Sequence, residues 1–511
     1  MKISGQKVFW FTAVGALLLL YASTKRLPPS EIRIAAIQRP AGTSPSLWDH
    51  APSRPLLLWT HDTLFELSKT PQGPLPVPLL AAEAVQWDST RTRAEIRIRE
   101  GIPFNGTSRK LVAQDFVDSW KKLSSLPPES SARRLFADQL KSVTPKDPST
   151  LEIVLTEPDP DFERKLTLGF TAPSIDGQNE NLGVGTGPWT LDTWFPSRKA
   201  TFKATQNYSN SFDLNQGLLA LPLADHLEQL WFESPKLALD AFLAGSVDLL
   251  EVPGTLTSGV LAAPPRLELK PELTAKKIRL DASLAPEFQL ALLNLRTLKN
   301  RAHRTALLSA LDSEFWQKAF EINSTAELLG DRILPLLEDW GSSTRITLKP
   351  PQGTRSLPKN FTIRVDWVVP GPEFAAPNPA IRSLSRKMDD AGAAIRVEPQ
   401  PLQAALQRFR EGECDLLIFS WNWLFASPLQ LIAPILELEP ASSPEVLEIR
   451  KAAAESSLSN LKPLALALER NQLWSAGPRQ RRLTLLQPWI IGKSPEKFYA
   501  VDRRLRKELT H

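Results

Sequence analysis

Five histidines, His50, His61, His226, His303 and His511, offer the widest choice of proton-transfer and metal chemistry in the chain. None stands four residues from another, and no His-Glu-x-x-His run occurs, so a helical zinc pair is excluded. His61 precedes Asp62, but neighbours on a strand face opposite ways, which separates them as a couple. No Gly-x-Ser-x-Gly elbow, Walker loop or Gly-x-Gly-x-x-Gly run is present. Gly183, Gly185 and Gly187 are followed at once by Pro188, which denies a phosphate cradle its next N–H; the stretch reads as a turn. Asp389 with Asp390, and Asp159, Asp161 and Glu163, fall at predicted helix ends or loops. They read as solvated charge rather than as an acid and base. Cys414 is the only cysteine, so no disulfide forms within the chain, and it is expected as a small buried hydrophobe. The expectation is a protein that is not an enzyme and uses no metal and no cofactor.

Noncovalent recognition remains. The chain has 15 tryptophans and only 3 tyrosines. Trp421, Trp423 and Phe425 alternate, so on an extended segment they share one side. Asn422 adds a neutral acceptor, and Leu424 stands between the last two rings. Such a run serves either as an aromatic platform for an apolar or sugar-like ligand or as packing at a lobe interface. Trp59 and Trp189 complete the set of ligand-binding candidates, and Trp194 and Trp367 are further aromatics on the same terms.

The elements that must carry these residues follow from periodicity. From 361 onward strands and helices alternate: strand 361–368, helix 378–391, strand 394–397, helix 402–410 and strand 415–421. The last strand is apolar almost throughout. This βαβαβ order predicts a mainly parallel, doubly wound sheet, which binds ligands at the carboxyl ends of its strands, here just after Phe419. Upstream, 92–99 alternates with Ala94, Ile96 and Ile98 on one face, and 151–156 alternates again. Helices are predicted over 112–123, over 235–244 with Gly245 as its stop, and over 301–320 with a stripe of Ala306, Leu307, Ala310, Leu311 and Phe315. Residues 27–55 hold six prolines and read as a linker around a short strand at 32–37, with the folded body starting at Leu56. No repeat of short fixed period is present.

At 511 residues the chain is expected to form two or three lobes. A net charge of +5 spread along the chain, with clusters only near 479–482 and 503–507, argues against nucleic-acid binding. Lys2 and Lys7 precede an uncharged apolar run at 8–21, followed by Ala22 and Ser23. Residues 1–26 therefore read as a signal peptide or an N-terminal membrane anchor, which places the bulk of the chain outside the cytoplasm.

Three segments in order carry a resemblance. The first runs from Pro78-Leu79-Leu80-Ala81 through Ile98-Arg99-Glu100-Gly101-Ile102-Pro103-Phe104-Asn105-Gly106-Thr107 to Asp115-Phe116-Val117-Asp118-Ser119-Trp120. The second is Gly185-Thr186-Gly187-Pro188-Trp189, with Asn207-Tyr208 beyond it. The third is Phe242-Leu243-Ala244-Gly245-Ser246-Val247-Asp248. Together they resemble the bacterial extracellular solute-binding proteins of family 5, the peptide- and nickel-binding components of ABC importers. Trp87 comes three residues later than the family pattern asks, with Ala84 in its place.

The resemblance implies an α/β, two-lobed periplasmic-binding-protein fold, a venus-flytrap with mixed sheets and an extra subdomain in the first lobe. Lobe I is expected over 27–272, with the subdomain at about 68–165. Lobe II is expected over 273–473, and 474–511 returns to lobe I. It further implies a periplasmic monomer that captures a peptide or other small organic solute and delivers it to an ABC permease in the inner membrane. The segment Ser420-Trp421-Asn422-Trp423-Leu424-Phe425-Ala426-Ser427-Pro428 is similar to a family pattern whose aspartate pairs with a peptide ammonium. Leu424 occupies the aspartate position. The alternative is a degenerate, membrane-anchored homologue acting as a sensor or partner-binding protein.

Overall fold

A computed structural model describes residues 30–501 except 71–72, 129, 178, 180, 207, 209–223, 263–265, 313, 317–356, 358–360, 369–378, 423–426, 458–459 and 492–499. The apolar run at 8–21 and the basic cluster at 503–507 lie outside the described residues. The chain enters as strand β1 (Glu31–Ala36). The proline-rich segment behind it is packed rather than a linker: Thr43, Pro45 and Trp48 are buried, and the Thr43 N–H donates to the Asn181 carbonyl at 2.8 Å. Packed structure is thus present from Ser30 onward, well before Leu56 and helix α1 (Arg54–Thr60).

A subdomain follows. Strands β2 (Gln86–Trp87), β3 (Arg93–Arg97), β4 (Leu140–Asp147) and β5 (Thr150–Leu155) form a sheet in the order β2-β3-β5-β4. Its alternating face, with Ala94, Ile96, Leu151 and Ile153, buries Phe116 and Trp120 of helix α2 (Ala113–Ser124). Short helices α3 (Ser131–Leu135) and α4 (Phe162–Lys165) flank it.

The large sheet then gains β6 (Trp189–Phe195), β7 (Lys199–Ala204) and β8 (His226–Trp231). Helix α5 (Pro235–Leu243) leads into β9 (Leu249–Val252). A 15-residue strand, β10 (Arg279–Leu293), crosses to the second half of the molecule. That half holds α6 (Arg301–Ala310), β11 (Phe361–Val368), α7 (Pro379–Asp390), β12 (Ala393–Gln400), α8 (Leu402–Glu411) and β13 (Leu416–Asn422). Four helices follow: α9 (Pro428–Leu431), α10 (Ala433–Leu438), α11 (Pro444–Ala454) and α12 (Lys462–Asn471). Strand β14 (Trp474–Leu486) crosses back. The predicted helix from Arg301 stops early because the Asp312 carboxylate accepts from the Phe315 N–H at 2.9 Å and starts a new turn.

Ten of these strands, β1 and β6 to β14, share one sheet, in the order β6-β7-β8-β1-β9-β14-β10-β13-β11-β12. The parallel set β13, β11 and β12 agrees with the βαβαβ pattern, but the antiparallel crossing pair β10 and β14 makes the sheet mixed. Both crossing strands are interrupted midway, with register shifts between Leu284 and Phe288 and between Phe288 and Leu290. Pro286 and Pro478 fall beside these shifts, where a missing N–H is tolerated.

The two halves repeat one unit that no short period reveals. Phe242-x-x-Gly245-x-x-Asp248-Leu249-Leu250 matches Phe409-x-x-Gly412-x-x-Asp415-Leu416-Leu417. Each glycine ends a helix in the left-handed region, at φ +72° and +77°. Each aspartate then binds an arginine on the neighbouring parallel strand. Arg33 donates to Asp248 from its backbone N–H (2.8 Å), Nε (3.2 Å) and Nη2 (3.0 Å), and Nη2 also reaches the Gly245 carbonyl. Arg364 does the same to Asp415 at 2.8, 3.1 and 2.9 Å, with Nη2 on the Gly412 carbonyl.

Candidate functional site at the junction of the two halves

The register of the crossing strands locates the site. Along β9, Leu249 to Val252 pairs with Leu486 to Leu483, so β9 points its carboxyl end toward the middle of β14. Strand β1 is parallel to β9 and points the same way. Along β13, Leu416 to Asn422 pairs with Leu293 to Glu287, so β13 points toward the middle of β10. The carboxyl ends of both parallel sets therefore converge on the interrupted stretch of the crossing pair, where an open α/β sheet places its ligands.

Trp421 and Asn422 end β13 at this point, with Asn422 opposite Glu287 in the ladder. Trp423, Leu424 and Phe425 lie outside the described residues. Trp421 is half-buried and, like Val368, Leu406, Leu429 and Leu436, packs against the buried core of the second half, edge-on to Phe419 at 6.1 Å. Its indole N–H has no acceptor among the described residues. The other aromatics are not brought to Trp421. Trp59 packs edge-on to Phe202 at 5.6 Å, and Trp189, only 3% exposed, belongs to the same core of the first half. Trp194 meets Trp231, and Trp367 meets Phe315. The apolar cores on either side of the sheet account for these four rings without a ligand.

His61 and Asp62 are both buried but serve different partners. The His61 ring lies between the Thr60 hydroxyl (2.8 Å) and the Ser174 hydroxyl (3.1 Å), and burial pushes its pKa down to about 3. Asp62 accepts from the Tyr208 hydroxyl at 2.8 Å and from Thr186 at 3.3 Å. Burial, then the Asp62 charge, pushes the Tyr208 phenol well above its ordinary range. Ser174 therefore faces an imidazole with no carboxylate behind it, which is not a nucleophile's arrangement.

The glycines at 183, 185 and 187 have a packing reason. A Cβ at Gly185 would lie 2.4 Å from the His61 ring, and one at Gly187 would lie 2.5 Å from the Thr60 backbone. Asn105 ties this stretch to the subdomain by donating to the carbonyls of Gly187 (2.9 Å) and Trp189 (3.1 Å). The first two of the motifs that carry the sequence resemblance are thus bonded to one another as scaffold.

One expectation about these side chains needs correction. Asp161 is not solvated: it is 6% exposed, accepts from the Ser427 hydroxyl, and its carboxyl pKa is raised by burial. Lys165 beside it is also buried and pairs with Asp159 at 2.7 Å. Cys414 is fully buried as expected, and burial raises its thiol pKa far above the ordinary value. Among the described residues no three His, Cys, Asp or Glu side chains converge as a metal site.

A two-part α/β molecule joined by two interrupted strands, with strand ends meeting at the joint, has the two-lobed architecture of the venus-flytrap binding proteins. The model of the bacterial extracellular solute-binding proteins, family 5 Middle, matches residues 76–328. The peptide transport periplasmic protein SapA of Salmonella typhimurium is 25% identical over 413 residues, covering 72% of this chain and 70% of that protein. Di/tripeptide-binding protein 4 of Pseudomonas aeruginosa is 24% identical, covering 71% of each. Among solved structures, HbpA2 from Haemophilus parasuis superposes with a TM-score of 0.69 at 16% identity, covering 90% of this chain and 96% of that one. The DppA protein of Helicobacter pylori, in complex with the peptide STSA, superposes at 0.63 and 14% identity, covering 93% and 97%. Residues 76–328 thus match the model of family 5 of the bacterial extracellular solute-binding proteins, and the whole chain shares the fold of the periplasmic binding proteins.

Proposed function

We propose that this chain is the substrate-capturing component of an ABC importer, working in the periplasm with an inner-membrane permease and closing on a peptide or similar small organic solute. The observation that carries the reading is the convergence of β1, β9 and β13 on the interrupted middle of β10 and β14. Closure there buries a ligand against both halves at once, and contacts to both supply the closing free energy. Trp421 and Asn422, at the end of β13, are the second half's candidate contacts; Trp423, Leu424, Phe425, Trp59 and Trp189 remain candidates from the sequence alone. Leu424 removes a charge from this loop, which favours ligands held by apolar contact and neutral hydrogen bonds over ones anchored by an ammonium. Residues 1–26 serve as the export signal or anchor.

The lobes part inside the crossing strands, near 284–288 and 479–481, rather than at 273 and 474. The register shifts support that division.

Thermal unfolding of the full chain against a panel of di- to hexapeptides and small organic solutes tests the proposal. A ligand at 100 times its Kd adds about 2.7 kcal/mol of stability and raises Tm measurably. Replacing Trp421 with Ala is expected to remove that rise. A panel in which no compound moves Tm overturns the reading.

A further inference from the structure

The two sides of the joint differ in charge. The second half ends β13 on Trp421 and Asn422, neither of them charged. The first half adds Arg39, which lies just beyond the end of β1. Arg39 is exposed and has no hydrogen bond or ion pair among the described residues. Glu233, the acid beyond the end of β8, is one strand further from the crossing pair.

The crossing strands carry the same sign of charge between the two sets of strand ends. Strand β9 ends with Val252 opposite Leu483, and β13 sets Trp421 opposite Phe288, which in turn stands opposite Arg479. The stretch of β14 from Arg482 to Arg479 therefore spans the gap between those ends. Arg482 stands there opposite Ser283, and Arg481 opposite Leu284. Along β10 the same gap, 283–288, holds one acid, Glu287, opposite Asn422. Glu251 and Asp281 both flank Thr484, on the first half's side of the gap. Arg482 is 48% exposed and meets Glu251, 66% exposed, only at 3.8 Å. So long and exposed a pair contributes little and leaves the guanidinium open to a better acceptor. The Ser283 hydroxyl is shielded from solvent and, like the Trp421 indole N–H, has no hydrogen-bond partner among the described residues. Donors thus outnumber acceptors in the gap, which suits a ligand that brings acceptors of its own.

We propose that the solute is an anion whose carboxylate is received by Arg39 and Arg482, while its apolar body lies against Trp421. This rests on the reading of the joint as a solute site and names the class of solute. A planar guanidinium matches a carboxylate through two parallel hydrogen bonds. Arg479 and Arg481, in the same ladder, add positive potential that draws an anion into a cleft.

Thermal unfolding of the full chain against matched pairs of compounds tests the inference. The pairs are N-acetylated di- and tripeptides and arylalkanoic acids, each as the free acid and as the primary amide. The acids are expected to raise Tm and the amides to bind about tenfold more weakly or worse. Added NaCl is expected to weaken the acids alone. Arg39→Gln and Arg482→Gln are each expected to weaken the acids by about tenfold and to leave the amides unchanged. Both side chains are exposed, and the Tm of each variant without ligand checks that it is folded. Amides as effective as acids overturn the anionic solute and leave the site itself standing. Acids that bind both variants as tightly as the wild type overturn the assignment to Arg39 and Arg482. A series in which neither acid nor amide moves Tm removes the solute site, and this inference with it.

Discussion

His61 and Glu439 are buried titratable groups with opposite effects on stability. Burial lowers the folded-state pKa of His61 from 6.5 to about 3, so its contribution is complete above pH 6.5 and is lost as pH falls toward 3. Burial raises Glu439 from 4.5 to about 7, against the Leu295 N–H bonds and the Arg296 and Arg304 charges that lower it. Its contribution is complete below pH 4.5 and is lost as pH rises through 7. Each group changes stability by at most about 1.4 kcal/mol per pH unit within its own window. Urea unfolding at pH 4, 5.5, 6.5 and 7.5 is expected to show that His61→Asn flattens the acid limb and Glu439→Gln flattens the limb up to pH 7. Parallel wild-type and variant curves contradict both assignments. At this scale the sequence was readable where a residue's neighbours in the chain decide its state. Cys414, at the head of an apolar run, is buried as its context suggests. Asp161 was misread because its partner Ser427 is 266 positions away.

Among the elements, the paired Arg–Asp units are the most informative. Asp248 is fully buried and also accepts from the Trp489 indole at 2.9 Å, whereas the Arg364 partner of Asp415 is 42% exposed. Truncating Asp248 strands a shielded arginine and an indole donor; truncating Asp415 leaves an arginine that water can reach. Asp248→Ala is therefore expected to cost about 3 kcal/mol and Asp415→Ala clearly less, as measured by denaturant unfolding. Equal losses would contradict the difference in solvation. The first unit was legible because Gly245 follows a clear helical stripe, and helix 402–410 was legible for the same reason. The crossing strands β10 and β14 were not. Pro286, Gly477, Pro478 and the arginines at 479, 481 and 482 break the alternation that marks a strand. Gly477 is needed where it stands: a Cβ there would come within 2.6 Å of the Trp316 ring.

For the molecule as a whole, the order of weak motifs was enough to point to the fold, because the first two are scaffold pieces bonded to one another, as Asn105 is to Gly187 and Trp189. The placement of the candidate site was legible only in part. The βαβαβ order marks the segment after Phe419 as a candidate, but the meeting of β13 with β1 and β9 depends on the register of two strands that sequence periodicity does not mark. The aromatic candidates divided accordingly: Trp421 stands at the joint, while Trp59 and Trp189 are part of the first half's core. The central claim is that a small solute is held, unchanged, where the strand ends meet. Native mass spectrometry of the chain isolated without denaturation tests it most directly. The account predicts a noncovalent adduct of one small molecule per chain, released intact on acid denaturation. A spectrum containing only the bare polypeptide mass, or an adduct that stays covalently attached after denaturation, would contradict it.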